Sequence, residues 1–245
     1  MEALEAAKAS GDSIGGLGAH FMLDMNTYAH GATLGFEQID FYVAGRCGVL
    51  GEVPAQVATA ALMFFEPDYI AQAWERSAVV MPRLEAGRLF AEVAHSWAEE
   101  KLSDDLDLGR LAELAGRVAD AASPAAAPLF AGWRALAEPD PDRPKALALH
   151  RINALRELRG AMHGAAVVTQ GISPHAAVTL RTPFMLDVFG WKAPHPDTAL
   201  VKPLWHEAQA ATERALSPAF EALSSSEREE LVELVNATQA HVLGQ

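Results

Sequence analysis

The stretch KALALHRINALRELRGAMHGAAVVTQ, residues 145–170, decides the fold class. It runs 26 residues without a proline, and at ~100° per residue Leu147, Ala154, Leu155, Leu158, Ala161, Met162 and Ala165 fill one broad arc. Leu149, Ile152 and Val167 lie outside that arc, so the helix is apolar around most of its circumference and has the pattern of a buried one. Its polar residues form two stripes. Arg156, Arg159 and His163 share one side, Arg156 and His163 being seven apart and within ~20° on the wheel. His150, Asn153 and Glu157 form the other. A solvated face with local ion pairs accounts for such stripes as readily as a pocket wall does, because charges are rarely buried unpaired.

Working outward, helix signals recur. Pro54 opens PAQVATAALMFF, Pro67-Asp68 opens a helix through Trp74, and Ser103-Asp104-Asp105 precedes LDLGRLAELAGRVADAA. Ser173-Pro174 starts PHAAVTLR, and Ser225 opens EREELVELVNATQAHVL. Alternating β-branched runs and Asn-Gly hairpin signals are scarce. The expectation is an all-α, multi-helix bundle of about ten helices. The proline-rich stretch at 138–144 is the strongest break, and gives a soft boundary between an N-terminal helical region, 1–138, and a C-terminal one, 145–245, that also suits one compact domain. Two amphipathic segments, 197–222 and 226–243, close the chain, and their stripes suggest docking on the protein's own core or on a second copy, a homodimer.

Of the 245 residues, half are apolar and 21% charged, a globular composition. The formal net charge of −13 argues against a phosphate backbone and against acidic lipid surfaces as partners, so nucleic acid is expected to be no partner. A single cysteine, Cys47, excludes an intrachain disulfide and a cysteine-based zinc site. The acidic start MEALEAAKASGDS is not a signal peptide, and no run of about 18 apolar residues occurs, which together give the expectation of a cytoplasmic protein with no membrane segment. No Gly-x-Gly-x-x-Gly or Gly-Lys-Ser/Thr element is present, against dinucleotide and phosphate-loop chemistry.

Candidate site residues follow from chemistry. In LGAHFMLDMNTYAH, residues 17–30, a continuous helix places His20 four residues before Asp24, an arrangement for a general base or two metal ligands. Glycines 15, 16 and 18 weaken its start. Tyr42 stands four residues before Arg46 and can stack on it or bond to it. Cys47 beside Arg46 raises the question of a lowered thiol pKa, against the commoner buried, inert thiol.

The runs Tyr42-Val43-Ala44-Gly45-Arg46, Leu50-Gly51, Phe65-Glu66-Pro67, Pro128-Leu129-Phe130 and Arg156-Glu157-Leu158-Arg159-Gly160 with His163 resemble an uncharacterised bacterial family labelled helix-turn-helix, whose C-terminal half is distantly like MarR regulators. The resemblance spans roughly 17–180, and His20 and His150 also fall where that family places histidines. It implies a winged-helix-like C-terminal part, but the wing pattern is not visible after Pro196, so that part would be degenerate.

Three functions are therefore carried forward. The first is a pocket for a small anionic ligand, bound by Tyr42, Arg46, Arg156, Glu157 and Arg159 and lined also by His20 and His163. The second is an enzyme, with His163 and His20 as acid and base, or His20, His150 and His163 as ligands of a metal or haem cofactor. The third is a MarR-type transcription regulator.

Overall fold

The structure, a computed structural model, describes residues 1–37 and 39–244. It contains twelve α-helices and no strand among the described residues. The all-α expectation holds, and the C-terminal part has helices where a winged-helix domain would carry its β-wing. No helix is long and apolar enough to cross a membrane.

The stretch quoted above forms α9, Pro144–Thr169, with its proline in the first turn. It is the central strut. Around it pack α1 (Ala3–Leu23), α6 (Arg83–Lys101), α7 (Leu108–Ala121), α8 (Pro128–Arg134) and α11 (Val201–Phe220), and this explains why α9 is apolar on so many sides. The solvated-face explanation fails for one stripe entirely: His150, Asn153 and Glu157 are all buried. The remaining helices are α2 (Met25–Thr33), α3 (Asp40–Cys47), α4 (Ala55–Ala61), α5 (Pro67–Ser77), α10 (Pro174–Arg181) and α12 (Ser225–Val242). One apolar cluster joins residues from Ala3 to Val235. A smaller one, Val167, Ile172, Ala176, Ala177 and Ala208, ties α10 and α11 to the end of α9.

Capping shifts several starts from those expected. Glu66 accepts from Asp68 N and Tyr69 N and so heads α5. Asp107 rather than Ser103 caps α7, and Ser224 with Glu227 makes a reciprocal capping box for α12. The helix after Pro54 stops at Ala61, seven residues long, and α11 starts only at Val201. The expected continuous helix through 17–30 is broken. α1 stops at Leu23, and Asp24, in extended conformation, accepts from Asn26 N to cap α2 and from Trp97 Nε1 at 2.9 Å. The Asp24 carboxylate thus satisfies two donors other than His20.

The glycines of α1 do not end it. A Cβ at Gly18 would run into Arg156 Cδ and Asn153 Oδ1, one at Gly16 into Gln239, and one at Gly11 would lie 3.1 Å from Arg159 Nε. Their missing side chains let α9 and α12 press polar groups close against the α1 backbone.

Candidate functional site

A cavity of about 610 Å³ opens along the Arg156/Arg159/His163 face of α9. α3 contributes Tyr42 and Arg46. The end of α4 and the turn after it give Ala61, Met63, Phe64 and Phe65. α10 supplies Ala177, Val178 and Arg181, and Phe189 and Trp205 complete the wall. The walls are chiefly apolar, in the size range of small-molecule sites. Met63 lies over Gly164, where an added Cβ would force the Met63 thioether to move.

At its base lies a buried charge network. Glu157 accepts from one guanidinium edge of Arg46, Nε at 3.0 Å and Nη2 at 2.6 Å, and from Arg156 Nη1 at 2.8 Å. Arg46 also donates to Tyr42 Oη, its Cζ lying 5.1 Å from that ring's centroid. The backbone carbonyl of Arg46 accepts from Trp133 Nε1 at 3.1 Å, which anchors α3 to α8. Burial alone disfavours both charges. For Arg46 the Glu157 carboxylate outweighs burial and holds the guanidinium above its ordinary pKa, and for Glu157 the two arginines hold the carboxyl below its own.

The other cations of the cavity are less satisfied. Arg159 makes no hydrogen bond among the described residues, and its nearest carboxylate, on fully exposed Asp12, is 3.8 Å away. Burial lowers its pKa despite Asp12. Arg156 has a single acceptor, Glu157. Arg181 has none among the described residues, its Cζ sitting 5.5 Å from the Trp205 ring centroid. Four guanidiniums therefore line one cavity against one carboxylate, in a chain of net charge −13.

His163 is buried beside Phe64 and Trp205, ring centroids 5.7 and 4.8 Å away, and its Nδ1 is 3.0 Å from Thr212 Oγ1. Burial first, then Arg159 and Arg181, push its pKa down to about 4. His150 is not on the cavity. Its Nδ1 is 3.1 Å from His95 Nε2 inside the core, and burial and His150 push His95 down to about 4 as well. His20 also lies off the cavity, its Nε2 accepting from the Gln239 amide at 3.1 Å. His20, His150 and His163 thus each have a separate partner. Among the described residues no group of three or more His, Cys, Asp or Glu could hold a metal ion, so the expected three-histidine ligand set is not assembled. Cys47 is buried, and burial pushes its thiol up to about 12 despite Arg46, so it is the inert core thiol rather than a nucleophile.

A stability test follows from the histidines. His95 and His163 fall from the ordinary 6.5 to about 4 in the folded chain. Between those values the unfolded chain binds more protons, so stability is full above about 6.5 and is lost as pH falls toward 4. Melting temperatures from pH 7.5 down to 4.5 should drop through this window, and less steeply in His95→Gln. A flat profile in the wild type would contradict the buried neutral state.

Of the sequence-derived residues, the fold brings together Tyr42, Arg46, Arg156, Glu157, Arg159 and His163, and leaves out His20 and His150. It adds Arg181, Trp205, Phe64 and Phe65. Phe65 belongs to the Phe65-Glu66-Pro67 run without standing out there as a site residue, and the chain reversal after Thr169 is what brings Arg181 of α10 and Trp205 of α11 to the cavity.

The site is thus a cationic, aromatic-walled cavity in an all-α chain. A family model described as a helix-turn-helix family matches residues 12–202, and the chain belongs to that family. No curated protein and no solved structure matches it. Membership overturns the expectation that nucleic acid is no partner, because a helix-turn-helix unit seats its second helix in the DNA major groove. That expectation rested on total charge, whereas groove binding depends on the local face of one helix. Between α9 and α10 lies a four-residue turn, Gln170–Ser173, with Gly171 at φ +73° and Ser173 capping α10.

Proposed function

We propose that this chain binds a small organic anion in the cavity along α9, and that this binding governs a nucleic-acid-directed activity. The observation that carries the first half is the charge imbalance: among the described residues Arg156 and Arg159 retain donors without protein acceptors on an apolar cavity whose one carboxylate, Glu157, is already engaged. Guanidinium groups in such a setting suit a carboxylate or phosphate held in two-pronged fashion. The aromatic side chains favour a flat apolar body.

Calorimetric titration with 2-naphthoate tests it. Wild type should bind, and Arg159→Gln should weaken binding by roughly tenfold or more, the scale of a lost charge-assisted hydrogen bond. Absence of any binding to the folded wild type would remove the reading.

The second half is favoured by family membership and by the α9–turn–α10 unit. A MarR-type regulator is its finer form, supported by the resemblance over Arg156–His163. Gel shifts of a random-sequence duplex pool should show binding that weakens with added salt, and 2-naphthoate should change the amount retained. A pool that never shifts at low salt would leave the cavity without this readout.

A further inference from the structure

The hydrogen-bond pattern around His163 says more about the guest than its charge. The Thr212 hydroxyl has one hydrogen, and Ala208 O receives it at 2.8 Å. Toward His163 Nδ1, 3.0 Å away, the same oxygen can only accept, so Nδ1 carries the ring hydrogen. A neutral imidazole has one N–H, which leaves Nε2 as a bare acceptor. No protein donor among the described residues meets that nitrogen. Nor is it sealed in the core: the side-chain atoms buried there without a partner belong to Arg83, Asn153 and Gln239. His163 lines the cavity, so an acceptor left open at Nε2 is within reach of a guest there.

The anion's seat is set by Arg156 and Arg159, three residues apart on the same face, the latter without any hydrogen bond among the described residues. Arg181 is solvent-exposed and better hydrated, and so has less need of a partner. From the midpoint of Arg156 and Arg159 to His163 the helix rises about 8 Å at 1.5 Å per residue. Apolar and aromatic walls line the cavity, with Phe64 and Trp205 against the imidazole.

We infer that the guest is a bifunctional anion: an acidic group held by Arg156 and Arg159, a flat apolar body, and at its other end, toward the C-terminal part of α9, a hydroxyl or N–H that donates to His163 Nε2. His163 is then the specificity-determining residue, rejecting analogues that lack the donor because its acceptor would be desolvated and unpaired. This rests on the anion-binding reading above and refines it.

The test compares 6-hydroxy-2-naphthoate, 6-methoxy-2-naphthoate and 2-naphthoate by calorimetry on the full chain. The hydroxy compound has its two groups at opposite ends of a rigid body. Wild type should bind it about tenfold more tightly than either comparator, the scale of one hydrogen bond. In His163→Phe the three affinities should come within about twofold while binding of 2-naphthoate persists. If all three bind wild type equally, or the hydroxy compound is weakest, the inference falls and the anion reading stands. If none binds, the anion reading falls and takes the inference with it. Should His163→Phe not fold, ¹⁵N spectra of the wild-type imidazoles decide: an unprotonated Nε2 with a protonated Nδ1 supports the inference, and the opposite tautomer overturns it.

Discussion

Replacing Glu157 by alanine is expected to lower stability by about 3–5 kcal/mol, the usual cost of stranding a buried charge. Among the described residues the carboxylate is the only acceptor of the Arg46 guanidinium apart from Tyr42 Oη, and both partners of that pair lie in the core. At 2–4 °C per kcal/mol for a chain of this size, the melting temperature should fall by about 10 °C. Removing both charges together is a different matter. The double substitution Arg46→Met with Glu157→Leu should recover much of the loss, because a well-packed apolar pair needs no desolvation of ions. Arg156 tolerates the loss of Glu157 better, since it is less buried than Arg46. Urea unfolding of the three variants checks this. A loss below 1 kcal/mol in Glu157→Ala, or no recovery in the double variant, would mean the network is not the anchor described.

Phe90→Ala should cost a similar ~3–5 kcal/mol for different reasons. The Phe90 side chain is fully buried, with ring centroids of Phe21 at 4.8 Å, Phe41 at 5.2 Å, Trp133 at 6.4 Å and Tyr42 at 6.5 Å. It is the hub at which α1, α3, α6 and α8 meet. The backbone of α3 approaches it so closely that a Cβ at Gly45 would fall within the ring's van der Waals envelope. Gly45→Ala should therefore be harmful alone and partly relieved once the ring is gone, the Phe90 Cβ, 2.5 Å from the added Cβ, remaining in place. Urea midpoints for the two single variants and their double should be non-additive by about 1 kcal/mol or more. Strict additivity would show that the ring and the glycine do not share their space.

These residues mark the limits of reading the chain by sequence. The spacing in 145–170 reveals a buried helix because periodicity is local, and the polar positions on it stand out against their apolar neighbours. Nothing local says that Glu157 turns toward Arg46, 111 residues away, rather than to solvent. The Tyr42–Arg46 contact was legible because both sit one turn apart on α3. His20 and Asp24 share that spacing and do not pair, since Asp24 satisfies the first turn of α2 and Trp97 instead. Glycines 15, 16 and 18 look like weak points for a helix in isolation. Packed, Gly16 and Gly18 are where Gln239, Asn153 and Arg156 press close to α1. Arg181 and Trp205 were invisible as site residues because their role depends on where α10 and α11 fold back.

The far field of this molecule and the near field of its cavity have opposite sign. The net charge of −13 repels a distant anion, while four guanidiniums attract one that has entered. Dissolved ions damp the repulsion beyond about 8 Å more than the attraction at contact range within the cavity. Added salt therefore eases the approach of an anion to this chain, the reverse of its effect on a basic surface.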